Sequence, residues 1–105
     1  MAYLVRHAHA GRKHAWIGPD ALRPLSEVGH AQAVGLVDRL SDWPVMRILS
    51  SPSTRCLQTV APLAADRGLE IETVEALAVD GDARRVLRKL IVPALATAVL
   101  CTLER

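Results

Sequence analysis

Apolar and polar positions in this 105-residue chain fall into short blocks whose period switches between two and about three and a half. Tyr3-Leu4-Val5 is a β-prone run without a turn residue, which predicts a first strand ending as the chain reaches Arg6-His7. Ala8 to Pro24 has no regular period and carries Gly11, Gly18, Pro19 and Pro24, so a long loop is expected there, with Trp16 as its anchor. Ser26 is an N-cap candidate. From it Val28, Ala31, Val34, Val37 and Leu40 form an apolar stripe at near-helical spacing until Asp42 and Pro44 stop the pattern. Val45 to Leu49 predicts a second strand, and Ser50-Ser51-Pro52 a tight exit into a second helix with Pro52 in its first turn.

That second helix would bury Leu57, Val60, Leu63 and Ala64, bend at Pro62 and stop at Gly68. Leu69, Ile71 and Thr73 alternate with Glu70 and Glu72, as in an edge strand with one solvated face. Asp82 opens a third helical pattern with Val86, Leu87, Leu90 and Ile91 inward and Arg84, Arg85, Arg88 and Lys89 solvated. Ala98 to Cys101 is apolar at every position, which suits a central parallel strand. Strands alternating with helices predict an α/β fold with three layers, α/β/α, and a mostly parallel sheet, with ligands beyond the carboxyl ends of the strands. The length allows a single domain over residues 1–105.

Composition narrows the function classes. Half the residues are apolar but only 3% are aromatic, so the core is aliphatic. A formal charge of +2, without an aromatic platform or basic stripe, argues against a nucleic-acid partner. The longest apolar stretch, Leu90 to Cys101, is broken by Pro93 and too short to cross a bilayer, and no secretory signal is visible, so a cytoplasmic location without a membrane partner is expected. Cys56 and Cys101 match no metal-ligand or disulfide pattern and read as free thiols. His7 and His9 form an HxH pair, but no further ligand cluster follows, so neither metal nor cofactor is expected. His30 reads as a helix-surface residue.

The chemistry concentrates at the strand exits. Arg6 and His7 follow the first strand, where a guanidinium fork can hold phosphoryl oxygens and a neutral imidazole can attack phosphorus. Arg55 lies about a turn into the second helix and adds a cation beside that helix's free N–H groups. Arg12, Lys13 and Arg23 either line the mouth of such a site and bind substrate, or are solvated loop charges.

Three segments strengthen this reading. Leu4-Val5-Arg6-His7-Ala8, Pro24-Leu25-Ser26-Glu27-Val28-Gly29-His30-Ala31-Gln32-Ala33 and Ser50-Ser51-Pro52-Ser53-Thr54-Arg55-Cys56-Leu57-Gln58-Thr59 resemble, in order and spacing, signatures of the histidine phosphatase superfamily, which includes the phosphoglycerate mutases. The Arg-His-Ala form is similar to bacterial phosphohistidine phosphatases, and the loop pattern of Gly11, Trp16, Gly18, Asp20 and Arg23-Pro24-Leu25 to the histidine-phosphatase domains of actinobacterial Nudix fusions. The resemblance implies a phosphoglycerate mutase-like fold and a metal-independent phosphatase. His7 would accept the phosphoryl group, Arg6 and Arg55 would hold it, and water would release it. The implied substrate is a small phosphoester, a phosphoanhydride or a phosphohistidine protein; oligomeric state stays open.

The resemblance also implies a carboxylate that protonates the leaving group, for which Asp80 is the candidate and Glu75 the reserve, either of which could equally be a solvated loop acid. The family's second histidine would follow the fourth strand. Leu103 stands there, and family members continue beyond this point, so the pattern is that of a C-terminally shortened domain. These departures leave a second expectation open, a catalytically impaired phosphate-binding or interaction module descended from such an enzyme.

Overall fold

The computed structural model describes residues 2–11, 16–75 and 97–102. The expected helix from Asp82, the carboxylate candidate Asp80, and Lys13 and Leu103 lie outside them. Four strands form one sheet, β1 (Ala2–Arg6), β2 (Val45–Ser50), β3 (Ile71–Thr73) and β4 (Thr97–Thr102), with α1 (Glu27–Arg39) between β1 and β2 and α2 (Thr54–Arg67) between β2 and β3. The order is β1-β4-β2-β3 and every pairing is parallel, so β4 is central and β3 an edge, both as the apolar pattern predicts. Among the described residues no helix is long and apolar enough to cross a membrane.

Val5, Ile48, Ile71, Val99 and Cys101 share one sheet face and pack with Leu36, Val37 and Leu40 at the end of α1 and with Cys56, Val60 and Leu63 of α2. Both described helices therefore cover the same face. Leu49, of opposite parity, is also buried. Cys56 and Cys101 are free thiols fully inside this core.

Local signals set the element ends. Ser26 caps α1, its side chain accepting the Gly29 N–H at 3.1 Å. Gly68 ends α2 in the left-handed region at φ 64°, where an L side chain would be strained. Its N–H reaches the Ala65 carbonyl and the Leu69 N–H that of Ala64, a paired closure of the last turn. Arg67 donates to the carbonyls of Leu40 and Trp43, tying the end of α2 to that of α1.

Three expectations need correction. The buried side of α1 is Gly29, Ala33 and Leu40, with Leu36 and Val37 half-buried, whereas Val28 and Val34 are 59% and 58% exposed and Ala31 is exposed too. The helix rotates this way because its first turn lies against the backbone at His9, and only glycine leaves room there. Pro52 is not in the first turn of α2. It lies in a bend made by buried serines, where Ser51 Oγ meets Ser53 Oγ at 3.1 Å and accepts the Ser53 N–H at 3.2 Å. Leu57 is only half-buried, since Cys56 and Thr59 take the inward positions.

Candidate active site

The exit of β1 carries Arg6, which is exposed, and His7, which is half-buried. His7 Nδ1 lies 2.8 Å from the Ala8 carbonyl oxygen. A carbonyl can only accept, so Nδ1 holds the proton and Nε2 keeps its lone pair. Burial lowers the imidazole pKa, and the charges of Arg55, Arg6 and Arg23 lower it further against the opposing bond to Ala8. The ring is therefore held neutral, with three guanidinium groups acting on it.

The backbone around His7 is fixed by residues from all three sequence segments. The Ala8 N–H donates to Thr59 Oγ1 at 2.9 Å, and Thr59 Oγ1 donates to the Arg55 carbonyl at 2.6 Å, linking the end of β1 to the first turn of α2. The His9 N–H donates to Gln32 Oε1 and the Leu25 N–H to Gln58 Oε1. The Ser26 N–H and hydroxyl both donate to the His9 carbonyl, at 2.9 and 3.0 Å. An antiparallel bridge between Ala10 and Leu25 closes the neck of the long loop. Gln32, Gln58 and Thr59 thus act as acceptors for backbone N–H groups that the irregular segment cannot pair with itself.

Arg55 is the second residue of α2, earlier than expected, and only 4% exposed. Its Nη1 donates to the Asp20 carbonyl at 2.8 Å and its Nη2 to Asp20 Oδ2 at 3.0 Å. Asp20 opens a single 3₁₀ turn, Asp20–Leu22, and its other oxygen accepts from Arg23 Nε at 3.1 Å. Arg23 also donates to the Gly11 carbonyl, so it is a tethered cation rather than a solvated loop charge. Burial raises the Asp20 pKa, but the hydrogen bonds from Arg23 and Arg55 outweigh it and the carboxyl sits below its ordinary range. In the sequence Asp20 stands only in a loop pattern. The signal for it was the i, i+3 spacing of opposite charges, Asp20 and Arg23.

Arg6, Arg23 and Arg55 thus lie near enough to His7 for their charges to act on its ring. Glu75, the reserve carboxylate, is exposed just beyond β3. Trp16, the expected loop anchor, donates from its indole to the Pro19 carbonyl at 3.0 Å and is 37% exposed, so its anchoring is local. A cavity of about 520 Å³ opens beside β1, lined by Val5, Arg6, His7, Ala8, Gln32, Gly35, Leu36, Arg39 and Thr59. It puts His7 and two arginines, Arg6 and Arg39, in contact with the same space.

Residues 2–78 match the family model described as the histidine phosphatase superfamily, branch 1. An 8-oxo-(d)GTP phosphatase of Mycolicibacterium smegmatis is 36% identical over 104 residues, covering 94% of this chain and 32% of that protein. The chain spans about a third or less of the curated relatives it matches. Among solved structures, the protein histidine phosphatase SixA complexed with tungstate superposes with a TM-score of 0.81 at 23% identity, over 97% of this chain and 68% of that one. A mycobacterial glucosyl-3-phosphoglycerate phosphatase gives a TM-score of 0.75 at 16% identity, over 95% and 74%. At these identities the two structures show a shared fold.

Proposed function

This chain belongs to the histidine phosphatase superfamily, and from that premise we propose that it is a phosphatase in which His7 takes up a phosphoryl group and passes it to water. The observation that carries the reading is the bond from His7 Nδ1–H to the Ala8 carbonyl, which leaves a neutral Nε2 with its lone pair free on a ring that feels the charges of Arg55, Arg6 and Arg23. The Nε2 lone pair attacks phosphorus, and the bond from phosphorus to the leaving atom, an oxygen in an ester or anhydride and an imidazole nitrogen in a phosphohistidine, breaks with its electron pair on that atom. A leaving oxygen takes a proton from an acid, for which Asp80 is our first candidate and Glu75 the second. Water then attacks phosphorus, the P–N pair returns to Nε2, and the water's proton leaves with the product or the same acid. Arg6 and Arg55 hold the phosphoryl oxygens throughout, with Arg23 and Lys13 as further substrate-binding cations.

The substrate class proposed is a small phosphoester, a phosphoanhydride or a phosphohistidine protein. The proteins named above act on a nucleotide, on a protein phosphohistidine and on glucosyl-3-phosphoglycerate, which supports keeping all three classes. A second reading, a phosphate-binding module with impaired chemistry, is favoured by one observation: an apolar Leu103 follows β4 as His7 follows β1. Leucine cannot donate a hydrogen bond to a phosphoryl group. An aryl phosphate, a nucleoside triphosphate and a phosphohistidine peptide, each offered to the wild-type protein and to His7→Ala, separate the two. Turnover lost in His7→Ala is the expected result; phosphate binding without turnover of any of the three favours the second reading.

A further inference from the structure

Arg55 is a nearly buried guanidinium whose donors are unevenly satisfied. Each terminal nitrogen gives one of its two N–H bonds to a single residue, Asp20, through a carbonyl and a carboxylate oxygen, while the single Nε–H is buried with no acceptor among the described residues. Buried donors are rarely left unpaired, because the lost hydration goes uncompensated. The guanidinium that keeps this donor idle is also one of the three whose charge reaches His7.

We infer that Asp20 is a positioning residue for oxyanion binding: by holding both terminal nitrogens of Arg55 through one N–H each, it orients the guanidinium so that the unpaired Nε–H is offered to an oxygen of the bound phosphoryl group. This rests on the phosphatase reading above and names a residue that acts through Arg55 rather than on the substrate. The carboxylate does a second task, since its other oxygen holds Arg23, which in turn is tied to Gly11. One residue therefore fixes two of the three cations relative to each other and closes the described ends of the loop toward α2. Three guanidinium charges less one carboxylate leave two positive charges, which match a phosphate dianion without leaving the arginines to repel one another. A flexible arginine would have to be ordered at the moment of binding; clamped in advance, it has little rotamer freedom left to lose.

The sign of one effect decides between positioning and bare charge. Removing a negative charge beside two cations tightens anion binding if only Coulomb attraction matters. Loss of positioning weakens it. In Asp20→Asn the amide is isosteric but neutral and serves only one guanidinium as an acceptor. The expected result is inorganic phosphate bound about tenfold more weakly by calorimetry, the scale of one charge-assisted hydrogen bond, with a matching rise in KM for an aryl phosphate. Asp20→Glu keeps the charge but displaces it by a methylene, and is expected to fall between Asn and wild type. Glu72→Gln, which breaks the remote Arg47–Glu72 pair, controls for a general loss of stability and is expected to leave phosphate binding unchanged.

Phosphate bound by either Asp20 variant as tightly as by wild type, or more tightly, overturns the inference, as does a melting shift with no change in binding. A wild-type chain that binds phosphate but turns over nothing refutes the phosphatase reading alone; the ranking of the variants in phosphate binding still decides the role of Asp20. A wild-type chain that binds no phosphate overturns the inference as well.

Discussion

Replacing Gly29 with alanine tests how the first turn of α1 is seated against the segment that follows His7. A Cβ at position 29 would lie 1.9 Å from the His9 carbonyl oxygen, 2.9 Å from its carbon and 3.1 Å from Leu25 Cβ. The closest ordinary carbon–oxygen contact is about 3.3 Å, so backbone must separate by roughly 1.4 Å. That oxygen accepts two hydrogen bonds from Ser26, and the same seat positions the His9 N–H on Gln32. Alanine favours a helix over glycine by about 1 kcal/mol. Against it stand overpacking of about 1–3 kcal/mol and two weakened hydrogen bonds of about 1 kcal/mol each. The net expectation is destabilisation of about 2–4 kcal/mol by urea unfolding, with a loss of phosphate affinity as the β1 exit shifts. A variant as stable as wild type, or more so, would mean that helix propensity governs this position and that the close approach is not a constraint.

Thr59→Val removes the acceptor for the Ala8 N–H and the donor to the Arg55 carbonyl while keeping shape. It should cost about 1–3 kcal/mol in urea unfolding and lower kcat/KM, because both ends of the site lose a tether. For pH, the His7 pKa is depressed in the folded state, so the unfolded chain binds a proton first. The stability from neutral His7 is fully present above about pH 6.5 and is lost as pH falls below that value toward the folded pKa. The difference in unfolding free energy between wild type and His7→Asn should shrink on that descent, and the acid limb of kcat/KM should lie below about 6.5. Ellman's reagent should find no reactive thiol in the native protein and two after denaturation, since Cys56 and Cys101 are both fully buried.

Signals carried within a few residues were legible in the sequence. Ser26 and Gly68 marked their helix ends because a cap is a bond between near neighbours. The apolar run at 98–101 marked an interior strand of the sheet, since β4 lies between β1 and β2. The strand exits put Arg6 and His7 at the end of β1 and Arg55 just beyond β2, because parallel strands end on one side. What escaped was set by partners far along the chain. The stripe from Val28 to Val34 looked like the inner face of α1, yet the docking of His9 against Gly29 turned it outward. Asp20 stood only in a loop pattern, because its bond to Arg55 spans 35 positions through a loop without periodicity. Gln32, Gln58 and Thr59 stood in the matched segments without a reason until their backbone partners were visible.

The central claim is that Nε2 of His7 carries the phosphoryl group, and trapping that adduct tests it most directly. Rapid quench in alkali of the wild-type protein with excess phosphoryl donor should give a phosphoryl group that is stable to base and lost in acid. Mass spectrometry should place it on the peptide containing His7, NMR on Nε2, and it should be absent from His7→Ala. A phosphoryl group on any other residue, or turnover that continues in His7→Ala, would contradict the account.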